Sequence, residues 1–409
     1  MSTPVINDIE FNNAIRDYLD NMLEVITNTD LQKDIELNLV KSFYNHFFED
    51  KSEDFKFTTP TYGWWDLTSA CNFRCKHCLY NDTEYSNKND LPEEKTIELA
   101  YELINDFNII KIILTGGEIF LHPKLLDIVQ IFKENNVAVQ LMSNGALIKD
   151  KHIDFLASMF NPYTDFIQIS LDGATNETFK AIRQTDAFSK ILSNIKKIIS
   201  KGIVVRIACT VNTLNYSEIE DICKLCNDIG VESLIIGRMV YHNKSHESLM
   251  LTEKDLMLLS AKLLKLKKIY KKINIINGLF SVLDLVNIPE VLSIINKDKY
   301  LPILKLDQDP IKRDCHFHDR FAIRSNGKIY LCLDSNSEEC CLGDYKKESL
   351  LQIWSKRENN PMFLCRDINN MGCKDCKFNR ICRSGCKAQA YEKFGDINLP
   401  SRSCILLKK

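Results

Sequence analysis

The sequence predicts an α/β fold: a partial (β/α)6 TIM-like barrel with an N-terminal helical segment and a small Cys-rich α+β C-terminal domain. Between residues 62 and 241, short β-branched runs alternate with amphipathic helical stretches. Six such units in series imply parallel strands with right-handed crossovers. Because six strands are too few to close an eight-stranded barrel, we expect an open sheet. Closely spaced cysteines after residue 314 predict the separate terminal domain.

The N-terminal segment, residues 1–58, is predicted to be helical. Apolar residues recur there at spacings of three and four, as at Ile15, Leu19 and Met22, which is typical of an amphipathic helix. Two interpretations stay open. The segment is either a helical cap packed on the barrel or a module that recognises a peptide substrate.

The barrel domain is predicted to span residues 59–241. Its strands are expected at residues 63–68, 109–114, 138–142, 166–170, 204–211 and 233–236, and helices between them include residues 93–107, 123–135 and 175–200. Active sites of such folds lie at the carboxyl ends of the strands. That rule brings four loops to one rim, at Cys71, Gly116-Gly117-Glu118, Asn144-Gly145 and Asp172-Gly173. Glycine in these loops lets the backbone approach a ligand closely.

Two further regions follow the barrel. Residues 242–310 are predicted to be a helical bridge, with helices at 253–272 and 279–296 and a linker marked by Pro302 and Pro310. Residues 311–409 form the C-terminal domain. Ser325-Asn326-Gly327-Lys328, between two short apolar runs, predicts a β-hairpin there that brings Cys315 and Cys332 together.

Composition limits the classes of function. The chain has 409 residues and a net charge of −2, which gives no reason to expect nucleic acid or anionic lipid as a partner. No apolar run is long enough to span a membrane, and the N-terminus lacks the order of a signal peptide, so we expect a cytoplasmic protein. In that compartment the 16 cysteines favour metal or redox chemistry over disulfides.

The motif Cys71-x3-Cys75-x2-Cys78 follows directly after the first predicted strand. Three thiolates can hold an iron–sulfur cluster by three of its irons and leave the fourth iron open for chemistry. Three buried thiols and part of a zinc site are the alternatives, although zinc usually takes two pairs of ligands. With His77 between its last two cysteines, the motif resembles that of the radical S-adenosylmethionine (SAM) enzymes.

The resemblance implies two cofactors and their binding residues. A 4Fe–4S cluster would sit on Cys71, Cys75 and Cys78, with SAM chelated to the free iron. Residues that would contact SAM are His77 near the adenine, Gly116, Gly117 and Glu118 at the amino group, and Ser143, Asn144, Ser170, Asp172 and Arg183 around the ribose and carboxylate. For Arg183, a solvated helix residue is the alternative.

Other polar residues of the barrel are weaker candidates. Arg206 and Arg238 are candidates for inward-facing or rim positions, whereas His122 and His242 are expected to be structural. No catalytic acid or base is assigned.

The C-terminal cysteines follow the pattern Cys315-x11-Gly327-x4-Cys332, then Cys373-x2-Cys376-x5-Cys382-x3-Cys386, then Cys404. Alone, this array also fits zinc. After the first motif it resembles the SPASM extension, which implies two auxiliary iron–sulfur clusters. The outer cluster would be held by Cys373, Cys376, Cys382 and Cys404, and the inner one by Cys315, Cys332 and Cys386. A fourth inner ligand stays open between Cys340, Cys341, Cys365, the substrate and none.

Three cysteines of the barrel are expected to be core thiols. Cys223 and Cys226 lie near the apolar face of a predicted helix, and Cys209 lies in the fifth strand. Buried free cysteines behave as small hydrophobic residues.

The resemblance implies reductive cleavage of SAM to a 5′-deoxyadenosyl radical that abstracts hydrogen from the substrate. The electron would come from a donor such as flavodoxin or ferredoxin. We expect a peptide substrate, with a crosslink such as a thioether in a ribosomally made peptide. Alternatives are a formylglycine-forming sulfatase maturase, radical modification of a small molecule and, outside enzymes, an iron–sulfur electron carrier. The sulfatase-maturing relatives carry an Asp directly after the second hairpin cysteine. Here Leu333 stands there and Asp334 follows, which weakens that alternative because alternate residues of a strand face opposite sides.

Overall fold

The computed structural model describes residues 59–78, 87–239, 244–279, 320–364, 366, 374 and 386–400. Predictions for the N-terminal segment and for most of the second bridge helix lie outside the described residues. So do the predictions for His242, Cys315, Cys365, Cys373, Cys376, Cys382 and Cys404.

A ten-stranded sheet forms the centre of the molecule. Its strands are β1 (Tyr62–Thr68), β2 (Lys111–Gly116), β3 (Ala138–Ser143), β4 (Phe166–Ser170), β5 (Val205–Val211), β6 (Ser233–Arg238), β7 (Asn274–Gly278), β8 (Arg320–Ile323), β9 (Lys328–Tyr330) and β10 (Cys341–Asp344). The strand order is β10-β9-β8-β1-β2-β3-β4-β5-β6-β7, and β1 to β7 are all parallel. Within the described residues β7 and β10 are the two ends of the sheet, which confirms an open barrel.

The described helices are α1 (Glu93–Asn105), α2 (Leu125–Glu134), α3 (Asp150–Met159), α4 (Asn176–Arg183), α5 (Phe188–Ser200), α6 (Ile219–Ile229), α7 (Glu253–Ile269), α8 (Leu350–Ser355) and α9 (Lys387–Phe394). Helices α1 to α7 connect the parallel strands β1 to β7, and α8 and α9 follow β10. Their apolar faces and the sheet share one hydrophobic core, in which Leu99, Phe132 and Ile195 are fully buried. None of the described helices is long and apolar enough to cross a membrane.

The predicted helix at 175–200 is wrong in one respect, because it is two helices. Gln184 adopts a left-handed conformation (φ 56°) at the end of α4, and α5 starts at Phe188. The left-handed residue reverses the chain and ends the helical hydrogen bonding. As a result Arg183 stands at the end of a helix.

The region predicted as a helical bridge also contains a strand, which was not predicted. Strand β7 follows α7 and pairs in parallel with β6, with Leu234 opposite Ile275. Its run of Ile275 and Ile276 favours a strand. The sheet thus gains a seventh parallel strand.

The predicted hairpin is confirmed, but it continues the barrel sheet. Strand β8 pairs in parallel with β1, and β9 pairs antiparallel with β8. Phe321 is fully buried against Phe107, with ring centroids 5.9 Å apart. A Cβ at Gly63 would lie 2.4 Å from the Phe321 ring, so glycine in β1 makes room for it. The first part of the cysteine-rich region is therefore joined to the barrel through β1.

Candidate functional site

A cavity of about 310 Å³ opens at the carboxyl ends of the parallel strands. The three cysteines of the first motif line it, together with His77, Gly116, Gly117, Ser143, Asn144, Ser170 and Arg183. The structure thus brings most of the predicted binding residues to one place. Glu118 and Asp172 are the exceptions, since both are fully buried and neither lines the cavity.

The cysteine loop, residues 69–78, is anchored by Asp90, a residue with no local sequence signal for this role. Asp90 accepts hydrogen bonds from Thr68 Oγ1 (2.6 Å), Ser69 N (3.0 Å) and Ser69 Oγ (2.8 Å). Near the other end of the loop, the Lys76 N–H donates to the carbonyl of Ile182 in α4 (2.9 Å). The loop is therefore held at both ends by protein contacts that involve no cysteine.

Gly116 and Gly117 let the end of β2 pass against the cysteine loop. The Gly117 N–H donates to Thr68 O (2.7 Å), and Gly116 has a φ of +128°. A Cβ at Gly117 would lie 2.2 Å from Ala70 O, a distance no real contact shows. Only glycine fits there without moving the loop, and its absent side chain leaves the backbone open to a ligand.

The three thiols of the loop face a shared space. Cys75 is buried, whereas Cys71 and Cys78 are half-buried. The N–H of Phe73 points at Cys71 Sγ (3.4 Å), and Arg183 Nη1 lies 3.6 Å from Cys75 Sγ. Burial raises the pKa of the Cys75 thiol to about 11, and a bound metal would favour its thiolate form.

These residues fit an iron–sulfur cluster better than a single metal ion. Among the described residues, no three His, Cys, Asp or Glu side chains are close enough to hold one ion. A cluster spreads its thiolates over several irons, which suits three thiols around a cavity. The buried Nδ1 of His77 has no hydrogen-bond partner in the described part of the chain, so a ligand polar group in the cavity would satisfy it.

Asp172 supports three groups that line the cavity. Its Oδ2 lies 2.5 Å from Arg183 Nε and 3.4 Å from His77 Nε2, and its Oδ1 accepts a hydrogen bond from Thr210 N (2.7 Å). Burial lowers the pKa of His77 to about 4, despite the nearby carboxylate, so its ring is neutral. Burial also disfavours a charged Arg183, but Asp172 and Cys75 outweigh burial and raise the pKa of Arg183 above its ordinary value. Asp172 thus holds groups that line the cavity, and its contact with SAM stays a prediction.

Glu118 holds the end of β3 in the same way. Its carboxylate accepts hydrogen bonds from Ser143 Oγ (2.8 Å), Asn144 N (2.7 Å) and Phe120 N (3.1 Å). Asn144 Nδ2 in turn donates to Asn72 Oδ1 in the cysteine loop (2.8 Å). Burial raises the pKa of Glu118, and these donors oppose the shift. Its side chain therefore supports Ser143 and Asn144, which line the cavity, and its contact with the SAM amino group stays a prediction.

The structure shows where three of the weaker candidate residues lie. Arg206 is the second residue of β5, so it lies near the amino ends of the strands, away from the cavity. There it pairs with Glu232 (2.9 Å). Arg238, at the end of β6, lines the cavity. The Nδ1 of His122 accepts a hydrogen bond from Lys124 N (3.3 Å), in agreement with the predicted structural role.

Five lining residues were missed. They are Phe73, Thr115, Met142, Thr210 and Met239. Four of them lie within the cysteine motif or within or directly after a predicted strand, which is the signal that could have found them. Met239 follows the observed end of β6, which extends two residues beyond the predicted strand.

The remaining barrel cysteines are core thiols, as predicted. Cys209, Cys223 and Cys226 are all buried in the hydrophobic core. Burial raises the pKa of Cys223 to about 12 and also raises those of Cys209 and Cys226. Cys223-x2-Cys226 therefore has no open face toward a metal or a redox partner.

Arg324 links the barrel to the segment after Cys332. It pairs with Asp66 of β1 (3.2 Å) and donates to Leu333 O (2.6 Å) and Ser335 O (3.0 Å). The residues after Cys332 form a turn, so the expected strand alternation at Leu333 and Asp334 is wrong. Instead, the exposed Asp334 turns its N–H toward Cys332 Sγ (3.4 Å).

The other described cysteines of this region differ in burial. Cys340 is fully buried in the core, and burial raises the pKa of its thiol. Cys332, Cys341 and Cys386 are half-buried, and Cys386 directly precedes α9.

Two protein-family models match parts of this chain. Residues 65–226 match the model of the radical SAM superfamily, and residues 315–377 match the SPASM iron–sulfur cluster-binding domain. The chain belongs to the radical SAM superfamily. Its cofactors are accordingly SAM and a 4Fe–4S cluster, and the SPASM match adds further iron–sulfur clusters.

Curated relatives share part of the chain. It is 29% identical to pre-heme d1 synthase of Dinoroseobacter shibae over 45% of this chain and 45% of that protein. It is 32% identical to a probable GTP 3′,8-cyclase of Saccharolobus solfataricus over 50% of this chain and 67% of that protein. The chain thus spans about half to two thirds of the length of these relatives.

Solved structures share the fold over more of the chain. Streptococcus suis SuiB bound to SAM has a TM-score of 0.64 at 14% identity and covers 91% of this chain and 90% of its own. SuiB has also been solved with its precursor peptide SuiA. The structure of anSMEcpe with AdoMet and the Cp18Cys peptide has a TM-score of 0.59 at 18% identity, over 81% of this chain and 90% of its own. At these identities the likeness shows the fold.

Proposed function

We propose that this radical SAM enzyme modifies a peptide, forming a crosslink such as a Cys-derived thioether in a ribosomally made peptide. The observation that best supports a peptide substrate is how much of this chain shares its fold with enzymes solved with peptides. SuiB and anSMEcpe, both solved with peptides, share it beyond the barrel, whereas the curated relatives with small-molecule names match half of this chain. A cytoplasmic location and an electron donor such as flavodoxin or ferredoxin belong to the same proposal.

Each part of the cavity wall has a role in this proposal. Cys71, Cys75 and Cys78 hold the cluster, while Gly116 and Gly117 leave room for the SAM amino acid moiety. His77, Ser143, Asn144, Ser170 and Arg183 offer polar groups to the rest of SAM. When bound, cluster and SAM together supply a radical that removes a hydrogen atom from the substrate.

The C-terminal cysteines complete the proposed machinery. Cys373, Cys376, Cys382 and Cys404 hold the outer auxiliary cluster, and Cys315, Cys332 and Cys386 hold the inner one. Forming a thioether removes two hydrogen atoms from the peptide, one as an atom and one as a proton, together with one electron. The auxiliary clusters are the acceptors that this electron requires. Arg324 attaches the Cys332 segment to β1, whose end leads into the cysteine loop.

A sulfatase maturase is the second candidate, because anSMEcpe shares the fold. That candidate needs a base beside the inner cluster, and Asp334 is the nearest described carboxyl group to Cys332 in sequence. Its side chain is exposed in a turn. Superfamily membership argues against the electron carrier.

The test is anaerobic incubation of the reconstituted protein with SAM, dithionite and a synthetic Cys-containing peptide encoded by a neighbouring open reading frame. The crosslinking proposal predicts a product lighter by two hydrogen atoms that alkylating reagents no longer label. The matched control is the same peptide with each Cys replaced by Ser, which should stay unmodified. An aldehyde product that reacts with a hydrazine would establish the sulfatase-maturase alternative and contradict crosslinking.

A further inference from the structure

The buried thiol of the first motif has a charged neighbour. Arg183 Nη1 lies 3.6 Å from Cys75 Sγ, while its Nε lies 2.5 Å from Asp172 Oδ2. The pair is almost completely shielded from solvent, since the Asp172 side chain is 0% and the Arg183 side chain 10% exposed. Asp172 is fixed in turn by the N–H of Thr210 (2.7 Å).

We infer that the Asp172–Arg183 pair sets the reduction potential of the cluster on Cys71, Cys75 and Cys78. Arg183 acts on the Cys75 sulfur, and Asp172 is the positioning residue that holds Arg183 there. Hydrogen bonds to the sulfurs and nearby charge are what protein groups use to tune such clusters. Their effect is large here because the pair is buried, where charges are weakly screened. The inference rests on the proposed function, which places the cluster on these three thiolates.

The two side chains have opposite effects on the reduction potential of the cluster. One-electron reduction adds a negative charge to the cluster. The guanidinium of Arg183 stabilises that charge and raises the potential, whereas the carboxylate of Asp172 opposes it and lowers the potential. A general loosening of the site would shift both variants in the same direction, so the opposed signs separate electrostatic tuning from a structural role.

The experiment is an anaerobic redox titration of the reconstituted full-length protein without SAM, followed by electron paramagnetic resonance. Iron is measured first in the Cys71→Ala/Cys75→Ala/Cys78→Ala variant, whose missing signal identifies this cluster. If that variant keeps all its iron, the cluster assignment fails, and with it the proposed function. If iron falls by about four atoms per chain, the titrations test the pair alone.

The inference predicts that Arg183→Met lowers the reduced-to-oxidised ratio at fixed potential about tenfold, a shift of about 59 mV for one electron. Asp172→Asn, which keeps an acceptor for Arg183, shifts the potential upward. Arg206→Met and Glu232→Gln alter another arginine–carboxylate pair, which lies near the amino ends of the strands, away from the cavity. Both variants leave the potential unchanged.

Equal potentials in all variants, or shifts of the same sign in Arg183→Met and Asp172→Asn, overturn the inference. If Arg183→Met fails to hold the cluster, the Asp172→Asn titration decides alone: a rise supports the inference, and a fall or no change overturns it.

Discussion

Glu118 Oε2 accepts a hydrogen bond of 2.7 Å from the backbone N–H of Asn144, and through it the end of β2 holds the end of β3. The same carboxylate accepts from Ser143 Oγ and Phe120 N. Glu118 is fully buried and does not line the cavity itself, but it supports two residues that do.

We predict that Glu118→Ala destabilises the protein and weakens SAM binding. Each buried donor left without a partner costs about 1–3 kcal/mol, and three donors lose theirs. Thermal unfolding of the apo-protein and equilibrium binding of SAM to the oxidised holoenzyme measure the two effects. Glu134→Ala is the control, since this residue is the last of α2, away from the cavity, and bonds the exposed Gln130. An unchanged melting temperature in Glu118→Ala would contradict the account.

Gly117→Ala is predicted to reduce the iron bound by the cysteine loop while the rest of the barrel still folds. The added Cβ would meet Ala70 O at 2.2 Å, so the backbone of the loop must move. Iron content after reconstitution and far-ultraviolet circular dichroism measure the two properties. Gly237→Ala is the matched control in another parallel strand, since its Cβ would meet Cys209 O at an ordinary 3.7 Å. Full iron content in Gly117→Ala would show that the loop does not need this close approach.

Arg324→Met is predicted to reduce auxiliary iron and product formation while SAM cleavage continues. The variant loses the ion pair with Asp66 and the hydrogen bonds to Leu333 O and Ser335 O, so the segment after Cys332 is no longer fixed to β1. Iron analysis and chromatography of 5′-deoxyadenosine separate the two effects. Lys347→Met, which removes an exposed pair with Asp344, should change neither. Loss of SAM cleavage with auxiliary iron intact would be the opposite of what we expect.

Replacing the core thiols should leave iron unchanged. Cys223→Ala and Cys226→Ala remove small apolar groups from the core and are expected to cost about 1–2 kcal/mol of stability, as small core truncations do. Cys75→Ala, in contrast, should lower the iron content by about four atoms per chain. Iron analysis beside denaturant unfolding measures both. Iron loss on replacing Cys223 or Cys226 would show that the helix α6 pair is a metal site after all.

Local sequence predicted the parts of the site that depend on residue type and strand ends. Cys71, Gly117 and Asn144 follow strands whose runs of β-branched residues are easily recognised in the sequence. Parallel strands bring their carboxyl ends together. Long-range contacts could not be predicted in the same way. Nothing near Asp90 indicates that it caps the loop after β1, and nothing near Asp172 indicates that Arg183 stands in front of it.

The pairing of β8 with β1 was missed for a similar reason. It joins residues more than 250 positions apart and depends on how Phe321 packs over Gly63. The helix break at Gln184 was missed because a left-handed residue other than glycine has little sequence signature.

The most direct test of the central claim is the formation of 5′-deoxyadenosine from SAM by the reconstituted, dithionite-reduced protein under anaerobic conditions. We expect 5′-deoxyadenosine and methionine in equal amounts with the wild-type chain, and neither with the Cys71→Ala/Cys75→Ala/Cys78→Ala variant. Absence of 5′-deoxyadenosine from wild-type protein with full iron content, or its formation by the triple variant, would contradict that claim.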